Sequence, residues 1–248
     1  MTGITGNNTI KKKWNVYESI FWILIFLLTG FILLRSPLFE VRQVLVSGNQ
    51  YLAEEKIRNI ADIGIGLNIF KLNLSTIEEN LKMIPMIKEV QVTRALPATV
   101  QITILERRPL GLLPTSEGFI EVDEEGFCLQ KASVSTPGLP VITGVEIDQS
   151  TPGEVVKAER LSYALTVLSG LPEDALSILS EVHVDLNNQI KVYTMERIQC
   201  RLGQATEISE KGIVLVQVLQ EIKKQGAKIS YIDLSSASMP VVKYMDSK

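Results

Sequence analysis

The chain has one histidine, His183, and two cysteines, Cys128 and Cys200, so it offers little to a transition metal or a thiol catalyst. Zinc and redox sites draw on closely spaced ligands, and these two thiols stand far apart with no Cys-x-x-Cys pair. They read as two separate buried or half-buried thiols, with a disulfide as the alternative in an oxidising compartment. His183 lies among Val182, Val184 and Leu186, an alternation that marks a strand residue. No serine sits in a Gly-x-Ser-x-Gly elbow. Gly64-x-Gly66 has the start of a dinucleotide loop, but it follows a helical segment and Ile69 stands where the third glycine belongs. Asp123-Glu124-Glu125-Gly126 lacks the ligand spacing of an EF-hand and reads as a turn between strands. Glu54-Glu55 and Glu78-Glu79 fall on helix surfaces. Glu106-Arg107-Arg108 reads as a solvated strand end, with a binding role as the alternative. No catalytic, cofactor-binding or metal-ligating residue is assigned, although a site built only from carboxylates leaves no local signature.

Composition points the same way. The chain is 46% hydrophobic and 21% charged, enough for packed cores. Its formal net charge is -3, and its one dense basic run is Lys11-Lys12-Lys13. A nucleic-acid binder shows a basic patch or stripe, so nucleic acid is not expected; with no active-site motif found, no small-molecule substrate is expected either.

Ile20 to Leu34 is an apolar run without charge. Its anchor residues are Ile20, Phe21, Trp22, Ile23, Leu24, Ile25, Phe26, Leu27, Leu28, Phe31, Ile32, Leu33 and Leu34. With its flanks it approaches the ~20 residues that a helix needs to cross hydrocarbon. A helix apolar all round has no face for water. The residues after it, Arg35-Ser36-Pro37-Leu38-Phe39, are not a small-x-small cleavage site. The expectation is an uncleaved transmembrane helix over 16–38, contacting membrane lipid. A cytoplasmic tail, 1–15, precedes it and is disordered over its first ten residues. The lysines before the run put the N-terminus in the cytoplasm and the rest of the chain outside it.

Beyond the anchor the pattern is α+β. Val41, Val44 and Val46 alternate as a strand that ends at Ser47-Gly48-Asn49. Ala53–Ala61 and Leu74–Ile84 read as amphipathic helices. Ile57 and Ile60 face inward in the first. Ser75 caps the second, with Ile77, Leu81 and Ile84 on one face. Gly48 suits a positive-φ turn and Gly64 a helix C-cap. Ile87–Arg94 and Thr99–Glu106 form a hairpin. The order β-α-α-β-β makes a first domain over 39–108. The second, 109–248, is β-rich. Leu112-Leu113, Phe119–Val122 and Phe127–Leu129 come first, then a helix over Lys157–Leu171 that faces Leu161, Leu165 and Leu168 inward. A three-strand meander follows over Val182–Asp185, Ile190–Thr194 and Ile198–Leu202, turning at Asn187-Asn188. A helix over Ser209–Gln225 is capped by Ser209 and carries Ile213, Val216, Leu219 and Ile222. Strands at Ile229–Leu234 and Pro240–Tyr244 close the chain.

Several segments carry a resemblance. They include Phe39-x-Val41, Val46-Ser47-Gly48-Asn49, Gly66-x-Asn68-Ile69-Phe70, Ile84-Pro85, Arg94-x-x-Pro97 and Glu106-Arg107-x-Pro109. Leu139-Pro140-Val141-Ile142-Thr143-Gly144 and Tyr231-Ile232-Asp233-Leu234 extend it. In this order, behind one membrane helix, the chain resembles the FtsQ/DivIB family from about residue 11 to 245, and its first domain resembles a POTRA domain. The resemblance implies a non-enzymatic divisome scaffold at the septum. Such a scaffold links FtsB/DivIC-like and FtsL-like coiled-coil proteins and helps to regulate septal peptidoglycan synthases. It implies that the last strands receive the partner, which here means Ser235, Ser236, Ser238, Pro240, Val241, Val242 and Tyr244. Pro240 suits an edge, since it lacks a ladder donor. The rival readings are a POTRA-bearing component of protein export or envelope assembly and a membrane-anchored cell-wall enzyme.

Overall fold

In the computed structural model, residues 16–132, 136–147 and 150–245 are described. Lys11 to Lys13, Trp14 and the expected tail lie outside them. The apolar run forms α1 (Val16–Leu34), none of it buried. Its large side chains stay exposed among the described residues, an apolar surface that suits lipid better than water. The helix ends at Leu34, short of the expected 38. Ser36 and Pro37 redirect the chain into a single 3-10 turn over Pro37–Phe39, where Ser36 Oγ accepts from the Leu38 amide.

The first alternating segments form a three-stranded sheet in the order β1-β3-β2. Its strands are β1 (Gln43–Ser47), β2 (Ile87–Ala95) and β3 (Thr99–Glu106). β1 runs parallel to β3 and β2 antiparallel to it. The helices α2 (Glu54–Ala61) and α3 (Leu74–Lys82) bury Ile57, Ala61, Ile77 and Leu81 against that sheet, closing one core. Two caps differ from expectation. Asn73, not Ser75, caps α3, because the chain turns two residues earlier and its Oδ1 accepts from the Thr76 amide. Asp62, not Gly64, takes the left-handed position after α2, at φ 45°. Gly48, at φ 88°, is where expected, and a Cβ there would collide with the Ile104 carbonyl.

The second part is one nine-stranded mixed sheet. It contains β4 (Gly111–Thr115), β5 (Gly118–Val122), β6 (Cys128–Ala132), β7 (Val141–Thr143), β8 (Leu179–Val184), β9 (Ile190–Thr194), β10 (Gln199–Gly203), β11 (Ile229–Asp233) and β12 (Val241–Tyr244). Their order across the sheet is β12-β11-β10-β9-β8-β7-β4-β5-β6. The helices α4 (Leu161–Gly170), α5 (Glu173–Leu176) and α6 (Ile208–Gln225) complete it. α4 starts four residues later than the periodicity suggests. Residues 156–158 lie outside any helix, with the Val156 amide held by the Gly126 carbonyl, and the chain then turns at 159–160, where Arg160 is left-handed at φ 66°. α6 starts at Ile208 after a left-handed Glu207, so Ser209 is inside the first turn rather than its cap. Its buried face is Ile208, Lys211, Gly212, Leu215 and Ile222, which leaves Ile213 in solvent. The Asn187-Asn188 turn forms as read, with Asn188 at φ 58° and Asp185 Oδ1 accepting from Asn187 and Gln189. Cys128 and Cys200 are both free and buried, on β6 and β10, with burial pushing the Cys200 thiol up to about 12.

The two cores meet through β6. Leu129 is buried in the first core although it belongs to the second sheet, and Phe127 packs beside it. Arg107, expected to be solvated, is instead the pin of this junction. Its Nη1 donates to Asp123 Oδ2 at 2.5 Å and to Glu125 Oε2 at 2.7 Å, and its guanidinium lies 4.0 Å over the Phe127 ring. Lys88 reaches Glu125 from β2 at 2.8 Å. Asp123 Oδ1 accepts from the Glu125 and Phe127 amides, so the acidic turn is held rigid where the cations meet it.

The hydrogen bond from Lys88, then that from Arg107, hold the Glu125 carboxyl down at about 2, below its ordinary 4.5. A carboxylate with a depressed native pKa contributes stability above its unfolded value and loses it as pH falls through the native one. The junction should therefore weaken between about pH 4.5 and 2. Urea midpoints of the full chain in detergent, followed through that window, should fall less steeply for Glu125→Gln than for the parent. Identical slopes would remove Glu125 from the latch.

Candidate partner-binding edge

A sheet end is a row of backbone donors and acceptors that must find water, protein or a partner. Two of the four sheet ends here are covered. On β2 the Val92 amide donates to Glu78 Oε1 at 2.8 Å. Along β6 the Cys128 amide donates to the Glu154 carbonyl, the Gly153 amide donates back to Cys128, and Phe127 bridges Val155. Among the described residues β12 and β1 are the open ends: each pairs with one strand, β11 and β3, and no strand lies along its other side.

β12 is placed by the crossover before it. β10 and β11 lie parallel, with α6 as their connection. β12 then returns antiparallel beside β11, with Asp233 opposite Val241, Ile232 opposite Val242 and Tyr231 opposite Lys243. Strand alternation sends Val242 inward, where it packs on the second core. On the other face Arg201 lies 4.0 Å over the Tyr231 ring, and Lys243 stands 5.8 Å from the same ring. Val241 and Tyr244 are exposed, 58% and 51%, with Met239 beside them also in solvent.

The turn from β11 to β12 is braced from below. Asp233 Oδ1 accepts from the Ser235 amide, Ser236 and Ser238 share a hydroxyl contact of 3.0 Å, and the Met239 amide bonds the Ser236 carbonyl. That Ser235 bond, with Arg201 nearby, outweighs burial and lowers the Asp233 pKa. Ser235 also rests against Gly203, whose φ of 71° turns the chain at the end of β10. Lys211, fully buried on α6, fixes that turn by donating to the carbonyls of Leu202 at 2.8 Å and Gln204 at 3.1 Å. Burial lowers its pKa. A lysine inside an amphipathic pattern reads as surface, so nothing in the sequence marks this role.

Of the residues singled out in the sequence, Val241, Val242 and Tyr244 come together on β12. Pro240 stands just before the strand and removes no ladder donor. Ser235, Ser236 and Ser238 form the turn. Lys243 and Met239 belong to the same surface and were not singled out. Their exposure follows from the edge position, which periodicity over four residues does not reveal. The arrangement is built from main-chain groups and apolar side chains. It is a backbone edge fringed with apolar side chains, able to accept an added strand.

Two family models match the chain. The model described as "POTRA domain, FtsQ-type" matches residues 39–107, and "Cell division protein FtsQ/DivIB, C-terminal" matches residues 111–235. The second stops at Ser235, so β12 lies beyond it. Among relatives, the cell division protein DivIB of Clostridium botulinum (strain Hall) is 29% identical over 239 residues, covering 94% of this chain and 93% of its own. The cell division protein FtsQ of Anaeromyxobacter sp. (strain K) is 29% identical over 213 residues, covering 83% of this chain and 71% of its own. FtsQ of Streptomyces bingchenggensis is 27% identical over 217 residues, covering 85% and 78%. Among the described residues α1 is the one helix long and apolar enough to cross a membrane, which fits a single-pass membrane protein. With the C-terminal model spanning just over half of its residues, the chain belongs to the FtsQ/DivIB family of cell-division proteins.

Proposed function

We propose that this chain is a non-enzymatic scaffold of the division machinery. In this reading the β12 edge captures a strand from an FtsB/DivIC-like coiled-coil protein, which brings an FtsL-like protein with it. The assembly then helps to regulate the septal peptidoglycan synthases. The observation that carries the reading is the uncovered edge of β12 with Val241 and Tyr244 exposed beside it. Family membership favours division over export or envelope assembly. The membrane anchor would be the helix Val16–Leu34 with its exit turn to residue 38, and the two outer domains 39–108 and 109–248, enriched at the septum.

Magnitudes say what the edge has to supply. About four added main-chain bonds contribute roughly 2–6 kcal/mol net, whereas micromolar affinity needs about 8 kcal/mol. Apolar contact makes up the difference at about 25 cal/mol per Å², and Val241, Tyr244 and Met239 are placed to make it. The strand therefore provides register, and the side chains provide much of the affinity.

Adjacent residues of a strand point their N–H groups to opposite sides. Of Val242→Pro and Lys243→Pro, one therefore removes a donor from the outer row and the other disturbs pairing with β11. One of the two should lose capture of the coiled-coil partner while melting like the parent, whereas Val242→Ala should weaken it only several-fold. If both proline variants stay folded and bind as tightly as the parent, β12 is not the site and the open edge of β1 is next. Orientation is a separate test. The positive-inside rule applied to Lys11, Lys12 and Lys13 places the outer region across the membrane from the N-terminus. A reporter active only outside the cytoplasm, fused after Lys248, should be active. An inactive one would reverse the topology.

A further inference from the structure

The end of the first sheet nearest α1 carries more exposed apolar surface than a water-facing end requires. Leu38, Ile65, Leu67, Phe70 and Leu96 are between 42% and 67% exposed. Backbone contacts gather them at one end. The Val41 amide bonds the Leu67 carbonyl, and the Gly66 amide bonds Val41 in return. The Arg42 amide bonds the Ala98 carbonyl, which brings the hairpin tip with Leu96 alongside. Arg94 reaches the carbonyls of Ile69 and Leu72, tying that hairpin to the loop, and the Phe70 ring packs 5.1 Å from Phe39. The loop turns through Gly66 at φ 86°, with open space where a Cβ would be, so Ile65 and Leu67 both project outward.

This same end is joined directly to the membrane helix. Asn68 Nδ2 donates to the Leu34 carbonyl, the last residue of α1, at 2.7 Å. Nineteen helical residues rise about 28 Å, close to the ~30 Å hydrocarbon thickness. Leu34 thus stands at the edge of the hydrocarbon. The polar layer beyond it is only about 5–7 Å deep on each side. A side chain bonded to the Leu34 carbonyl lies inside that layer, and the neighbours of Asn68 cannot be far from it.

The charge pattern fits the same surface. Arg35, Arg42 and Lys71 are exposed around the apolar cluster, where guanidinium and ammonium groups meet lipid phosphates. Arg35 also lies 4.5 Å over the Phe31 ring of α1, a cation placed at the hydrocarbon edge.

We infer that the 65–70 loop and the 95–98 hairpin tip form a membrane-docking face, seating the first domain on the bilayer surface with Ile65, Leu67, Phe70 and Leu96 among the lipid headgroups. The inference rests on α1 lying in the membrane and is independent of the partner edge. Docking would fix the tilt of the outer region and so the height at which β12 is presented.

Single cysteines at Ile65 and Leu96, spin-labelled in the full chain reconstituted in phosphatidylcholine–phosphatidylglycerol vesicles, test this. Ile25→Cys in α1 is the lipid reference. Tyr51→Cys is the aqueous one, being exposed at the opposite end of the sheet, where its amide bonds Glu106 at the close of β3. The native thiols are buried with raised pKa values, and labelled parent protein corrects for any background. The measurement is the relative collision rate with oxygen and with a water-soluble nickel chelate. Labels at Ile65 and Leu96 should favour oxygen several-fold more than the label at Tyr51, approaching Ile25. Values matching Tyr51 while Ile25 favours oxygen would overturn the docking face and leave the anchor intact. An aqueous value at Ile25 itself would overturn both.

Discussion

Every backbone N–H and C=O in a sheet needs a partner, and the last strand is where that requirement goes unmet. In this protein that constraint organises the region beyond α1. Glu78 occupies a donor on one sheet end, and Gly153 to Val155 cover another. At the far end of the nine-stranded sheet nothing among the described residues covers β12. Evolution commonly blunts such edges with prolines, charges or bulges. Here Pro240 stops just short of the strand, a single bulge opposes it near Tyr231, and Val241 and Tyr244 remain exposed. The edge is kept open at the place where the family resemblance expects a partner.

The remainder of the fold holds that edge at a defined position relative to α1. The first domain is bound to α1 through Asn68 and to the second sheet through Leu129 and the Arg107 pin. From β6 at the junction to β12, eight inter-strand steps span roughly 38 Å at about 4.8 Å each. A continuous sheet is a stiff spacer, so the orientation at the junction is carried out to the edge. The braces near β12 serve the same end. Buried Lys211 is one of them, its ammonium relying on two carbonyls, with the Glu207 charge nearby, to offset its desolvation.

Much of this was legible in the sequence because it follows from periodicity. The all-round apolar helix, the two amphipathic helices of the first domain with Ile57, Ile77 and Leu81 inward, and the 182–202 meander each repeat a local pattern over enough residues to be read. What was not legible depended on tertiary partners. Arg107 looks like a solvated strand end until Asp123 and Glu125 are folded against it. Lys211 looks like surface until the carbonyls at the end of β10 close around it. The starts of α4 and α6 shifted because Arg160 and Glu207 adopt left-handed conformations that no propensity favours. Leu129, apolar in an ordinary strand, gave no sign that it fills the neighbouring domain's core. Of the partner edge, the sequence supplied the strand and its proline. Openness is a property of the whole sheet and appears only once all nine strands are ordered.

The proposed scaffold function depends on whether β12 recognises its partner through the backbone. Amide hydrogen exchange along residues 241–244, compared between the free chain and its complex with the coiled-coil partner, tests this most directly. The expected result is strong slowing at alternate amides, those on the outer row, with the inward amides already protected by β11 in the free protein. Unchanged exchange along β12, with new protection elsewhere on the outer region, would contradict it.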